Sequence, residues 1–246
     1  MKTTILILCA ASVALASPPS SRVVGGANAD NGQFPYMVSL RENGEHVCGG
    51  AILDEINILT TARCIRDLDI STLTIKVGNN SLNAQTEEYP VSKLIPHEDY
   101  DHTKASNDIA IIKVANPIEF REGAVQPVTL RQTNIDDLVW VILSGWGHTS
   151  SNGNKPNKLQ AIYLKTLNYE TCAESHSSSW PVTESNVCTF TTYGEGLCEG
   201  DTGSPLVDML YRLVGLSSFG KGCGIGYPDV YTRVYSYLDW IEVNRS

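Results

Sequence analysis

Apolar residues fall in short runs along most of the chain, separated by clusters of glycine, asparagine and serine. The runs at 36–40, 51–60, 73–77, 109–114, 139–144 and 213–218 either alternate or are continuously apolar, which predicts β-strands. Turn residues lie between them: Glu42-Asn43-Gly44, Gly78-Asn79-Asn80, the polar segment 150–154 and Gly222-Cys223-Gly224. Only residues 235–244, where Leu238 and Ile241 flank Trp240, carry a helical spacing. The pattern predicts an all-β architecture of sandwich or barrel type. The 224 residues from Val23 onward fit one or two such units, and no internal repeat or low-complexity tract interrupts them.

The N-terminus follows a different logic. Met1-Lys2, the apolar stretch 5–13 and the small-residue pattern Ala14-Leu15-Ala16 predict a signal peptide over 1–16 and hence a secreted, extracellular product. That stretch is shorter than the roughly 20 apolar residues of a membrane-spanning helix, and no later segment approaches it, so no membrane partner is expected. Residues 17–22 end in Arg22 and read as an activation propeptide removed by a trypsin-like protease.

Of seven cysteines, Cys9 falls in the leader, leaving Cys48, Cys64, Cys172, Cys188, Cys198 and Cys223, an even set suited to an oxidising compartment. Spacing alone allows about fifteen pairings. No two of these cysteines form the close knuckle that a zinc site uses, and no metal or other cofactor is expected. Residues 1–22 hold two basic and no acidic side chains, so their removal takes the net charge from −9 to −11. An acidic chain without a basic face is not expected to bind nucleic acid.

Six segments carry recognisable chemistry, in this order: Arg22-Val23-Val24-Gly25-Gly26; Cys48-Gly49-Gly50 with Leu59-Thr60-Thr61-Ala62-Arg63-Cys64; Asn107-Asp108-Ile109-Ala110; Ser144-Gly145-Trp146-Gly147; Cys198-Glu199-Gly200-Asp201-Thr202-Gly203-Ser204-Pro205-Leu206; and Pro228-Asp229-Val230-Tyr231. Together they resemble the chymotrypsin/trypsin family of serine proteases, in its arthropod chymotrypsin-like branch. The resemblance covers essentially all of residues 23–246.

It implies two six-stranded antiparallel β-barrels with a C-terminal helix, the first barrel over about 23–127 and the second over about 128–246. It implies the disulfides Cys48–Cys64, Cys172–Cys188 and Cys198–Cys223. It further implies that cleavage after Arg22 frees the Val23 amine to pair with Asp201. The triad positions become Arg63, Asp108 and Thr202, the oxyanion-hole amides those of Gly200 and Thr202, and the substrate pocket Gly196, Ser218, Phe219, Gly220 and Asp229.

Two of the three triad side chains depart from the family. Arg63 stands where a histidine would take the nucleophile's proton, and a guanidinium offers five donors and no acceptor. Thr202 keeps a hydroxyl at the serine position but adds a β-branch, and without a base that hydroxyl is a poor nucleophile. Ser204 replaces a glycine beside the cleft and is expected to crowd the loop. Asp108 is expected to pair with Arg63, the alternative being an Arg63 turned to solvent with Asp108 held by Ser218 alone. His46, His97, His102, His148 and His176 lie away from the base position, and Asp229 is expected on the pocket wall. Asn79-Asn80-Ser81 is a glycosylation sequon in a turn.

The chain is therefore expected to be a monomeric, secreted, non-catalytic protease homologue that binds peptides, protease inhibitors or other extracellular proteins. The alternative is a secreted chymotrypsin-like endopeptidase, extracellular or digestive, with residual activity.

Overall fold

The computed structural model describes residues 24–151, 153–177 and 180–246. The expected signal peptide, propeptide, Arg22 and Val23 lie outside the described residues. The first element is the two-residue strand β1 (Ala27–Asn28). The next six strands, β2 (Met37–Glu42), β3 (Glu45–Ile52), β4 (Asn57–Thr60), β5 (Leu73–Val77), β6 (Glu88–Pro96) and β7 (Ala110–Val114), close into a barrel in the order β2-β3-β4-β7-β6-β5. The hairpin joining β2 to β3 turns at Asn43 and Gly44, both with positive φ (50° and 83°), which matches the twist of the flanking strands. A single helical turn, α1 (Ala62–Ile65), follows β4.

After β8 (Thr129–Leu130), a second ring forms from β9 (Trp140–Gly145), β10 (Gln160–Leu167), β11 (Asn186–Thr189), β12 (Pro205–Asp208), β13 (Arg212–Phe219) and β14 (Asp229–Arg233). It runs β10-β11-β14-β13-β12-β9, and pairing of β9 with β10 closes it. The helices α2 (Tyr169–Ser175) and α3 (Leu238–Arg245) complete the fold. No helix among the described residues is long and apolar enough to cross a membrane.

The run at 51–60, expected as one strand, is the end of β3 and the whole of β4. Asp54 separates them: its carboxylate accepts the amides of Ile56 and Asn57 at 3.1 and 2.9 Å, which turns the chain. The helix expected over 235–244 is a 3₁₀ turn over Val234–Tyr237 followed by α3. Strands β6, β10, β11, β12 and β14 were not legible, partly because barrel interiors here hold polar side chains such as Gln160, Thr166 and Thr189.

Each barrel has its own core: Val38, Leu40, Ile58, Ile75 and Ile112 in the first, and Val141, Leu143, Leu164, Leu206 and Tyr231 in the second. A third cluster, with Met37, Leu59, Ile111, Ile142, Val207 and Leu216, joins them and forms the seam. The ends of the chain cross that seam. β1, counted with the first barrel in the sequence, pairs with β10 of the second. At the other end α3 returns to the first barrel, where Asn57 and Lys113 hydrogen-bond the carbonyls of Arg245 and Ser246 at 2.9 and 2.8 Å.

The three disulfides form as the resemblance implied. Cys48–Cys64 ties β3 to α1 across a sequence separation of 16. On loop-closure grounds, converting both cysteines to serine is expected to lower unfolding stability by about 3 kcal/mol, measured as a shift in the urea midpoint.

Candidate active site

Arg63, Asp108 and Thr202 meet at the seam. Arg63 sits in the first turn after β4, Asp108 just before β7, and Thr202 in the turn that leads into β12. Glycine makes that last turn possible. Gly200 and Gly203 have φ of +94° and +78°, and a Cβ on Gly203 would stand 2.3 Å from the Thr60 hydroxyl and 2.5 Å from the Gly49 carbonyl. The turn is clamped from both barrels: the Gly49 amide donates to the Thr202 carbonyl at 2.8 Å, and the Gly203 amide to the Ser217 carbonyl at 2.8 Å.

Asp108 is 1% exposed, and donors from both barrels hold it. Its carboxylate accepts the Arg63 backbone amide at 2.8 Å and the Ser218 hydroxyl at 2.6 Å, while Thr232 donates to its backbone carbonyl at 2.7 Å. Burial pushes this carboxyl above its ordinary range, opposed by Ser218 and the Arg63 amide. The Arg63 side chain combines the two arrangements anticipated for it. Its Nε is 3.9 Å from Asp108 Oδ2, an ion pair without a hydrogen bond, and its Cζ lies 4.1 Å from the centre of the Trp180 ring. Trp180 in turn meets Phe219 edge-on at 5.2 Å. Nothing in the spacing of the sequence marks Trp180, which lies in a serine-rich loop far from every motif.

None of the five histidines hydrogen-bonds the Thr202 hydroxyl. His46 comes nearest to the turn and has both ring nitrogens engaged, Nδ1 with Ser39 at 2.8 Å and Nε2 with the Gly200 carbonyl at 3.2 Å. A carbonyl only accepts, so Nε2 carries the proton and Nδ1 accepts from the serine. Burial lowers its pKa to about 4, keeping it neutral. His97 stacks on Trp240, and His176 engages the Pro228 carbonyl at 2.8 Å.

Asp201 is fully buried and accepts the amides of Gly147 and Cys198 at 2.8 and 3.1 Å. Burial pushes its carboxyl up to about 7. Ser204, expected to crowd the loop, turns its hydroxyl into the seam toward Gly49 and Gly145, where any side chain would collide with it. That hydroxyl is buried and has no hydrogen-bond partner among the described residues.

A cavity of about 390 Å³ opens beside these groups, lined by Arg63, Trp180, Thr202, Ser218, Phe219 and Gly220 among others. Asp229, expected on the pocket wall, is 5% exposed, and its carboxylate lies against Gly196 and against the cavity-lining Gly220, leaving no room for a Cβ at either. The Leu197 amide donates to it at 2.7 Å, and burial pushes its pKa up to about 8. Asn79, elsewhere on the first barrel, is exposed.

The trypsin family model matches residues 23–241. The chain belongs to the trypsin family. It is 41% identical to chymotrypsin-2 of Vespa crabro over 91% of this chain and 100% of that one, and 32% identical to a vitellin-degrading protease of Bombyx mori over 98% and 95%. Among solved structures, neuropsin, a serine protease expressed in the limbic system of mouse brain, superposes with a TM-score of 0.83 at 29% identity, covering 90% of this chain and 99% of that one.

Against this family background, two buried groups make testable demands on stability. The folded pKa of Asp229 is raised, so the stability contributed by its neutral form is complete below about 3.8 and lost as pH rises through about 8. Asp229→Asn is expected to reduce the fall in urea midpoint between about pH 5 and about pH 8, leaving the smaller part due to Asp201. Ser204→Ala, which removes an unpaired buried hydroxyl while keeping its Cβ, is expected to stabilise the protein by about 1 kcal/mol, read as a raised melting temperature.

Proposed function

We propose that the chain is a secreted, non-catalytic member of the trypsin family that acts by binding peptides, protease inhibitors or protein partners. One observation carries this reading: the group at the base position is a guanidinium, which has no lone pair to accept the Thr202 proton. Asp108 and Ser218 remain in place, but an aspartate that orients a base serves no proton transfer when the base is absent. In subtilisin, which carries the same triad on an unrelated fold, loss of base or nucleophile costs about 10⁶ in turnover and leaves roughly 10³–10⁴ over water. The buried Asp201 is the acceptor for the Val23 amine after cleavage at Arg22. A cation there would replace the solvation that burial removes from its carboxylate.

Binding needs less than catalysis does. The C-terminal end of β13 at Ser218 and Phe219, with Gly220 after it, runs past the last pairing with β12 (Pro205 with Leu216), lines the cavity and is suited to accept an extended peptide by strand addition.

The test is chemical. Protein cleaved after Arg22 is expected to take up no fluorophosphonate probe and to release no product from peptide anilides. The double change Arg63→His with Thr202→Ser is expected to restore turnover, while either single change is not, because base and nucleophile act as a unit. Stoichiometric labelling of Thr202 in the unaltered protein would overturn the reading in favour of an active endopeptidase.

A further inference from the structure

The group at the base position does more than remove a base. Arg63 is retained inside the cleft, its guanidinium face against Trp180 and its side chain 28% exposed to the cavity. Asp108 does not consume its donors: the carboxylate is hydrogen-bonded by Ser218 at 2.6 Å and by the Arg63 backbone at 2.8 Å, and the nearest guanidinium nitrogen is 3.9 Å away. The Tyr100 hydroxyl lies within hydrogen-bonding reach of the Arg63 side chain and takes up at most one of its five N–H donors.

Across the cavity, the amides of Gly200 and Thr202 flank a turn held open by the left-handed Gly200, and neither donates to an acceptor among the described residues. Two other acids line the cavity. Asp201 is fully buried and directed to Gly147, and Glu199 is exposed to solvent at the rim.

The cleft therefore presents a permanent cation and two unpaired amide donors, and it lacks the neutral imidazole that an acyl-transfer site requires. Such a set is mismatched to a scissile amide, whose carbonyl oxygen carries only a partial charge. It is matched to a carboxylate, which takes a bidentate or charge-assisted bond from arginine and further bonds from convergent amides. A peptide lying along Ser218–Gly220 that ends at the cavity would place its last carboxylate between Thr202 and Arg63.

We infer that the cleft captures peptides by their free C-terminal carboxylate, so its ligands are peptides already cut by other proteases. This rests on the reading that the cleft binds peptides, and it names which ones.

The test uses the full chain cleaved after Arg22 and fluorescein-labelled short peptides varied at the last residue, each made as the free acid and as the amide. Fluorescence anisotropy is expected to show the acids binding roughly tenfold or more tightly than their amides, the difference falling as salt is added. Arg63→Gln is expected to abolish that preference and Arg63→Lys to keep part of it. If Arg63→Gln does not fold, the acid-to-amide ratio in the unaltered protein and its salt dependence still decide the matter. Equal affinity for acid and amide overturns the inference while leaving peptide binding intact. Binding of neither form overturns both. A preference that survives in folded Arg63→Gln removes Arg63 from the site.

Discussion

The carboxylate of Asp108 lies at the seam between the barrels, out of reach of water, and its surroundings follow from the need to satisfy it. An unpaired charge in such a place costs several kcal/mol, so donors must converge on it. They come from both sides: the Arg63 amide from the first barrel and the Ser218 hydroxyl from the second, while the Thr232 hydroxyl, also from the second, holds the backbone carbonyl of the same residue. The two bonds from the second barrel require the barrels to be docked, and docking buries the cluster of Leu59, Ile111, Ile142 and Leu216. The polar triad position and the apolar seam are thus one construction. The exchange of chain ends, β1 to the second barrel and α3 to the first, closes it further.

The frame that orients a histidine persists around a residue that is not one. Ser218 holds Asp108 as tightly as a hydrogen bond allows, while the arginine side chain leans on Trp180 and faces the cavity. A guanidinium in this position exchanges proton acceptance for permanent positive charge. The same scaffold that would serve acyl transfer is therefore suited to anion recognition, since the amides that stabilise an oxyanion also bind a carboxylate.

Two further carboxylates, Asp201 and Asp229, are buried close to the cleft and, among the described residues, accept hydrogen bonds from backbone donors alone. Both are displaced toward neutrality by burial. The backbone has adapted to them: Gly147 approaches Asp201 and Gly196 approaches Asp229 so closely that neither position admits a Cβ. Glycine and buried acid form matched pairs, in which the missing side chain makes room for the charge.

Much of this was present in the chain as text. The six ordered motifs and the residues at the triad positions followed from local sequence, because turn glycines and active-site loops are short-range features with few substitutes, whereas the cysteine pairing came only through the resemblance those motifs carry. The strand runs at 36–40, 73–77 and 213–218 were legible from alternation, whereas β10 and β11 were not, since Gln160 and Thr189 point inward and break the apolar pattern. What tertiary structure alone decided was contact across the seam. Trp180 reaches Arg63 from a loop more than a hundred residues away, the Asp229 carboxylate is packed between Gly196 and Gly220, and the Ser204 hydroxyl turns into the seam toward Gly49 and Gly145. Sequence determines which groups a chain carries and how its local turns run. Which face of a buried side chain meets which neighbour depends on the packing of two closed barrels, and no local pattern encodes that.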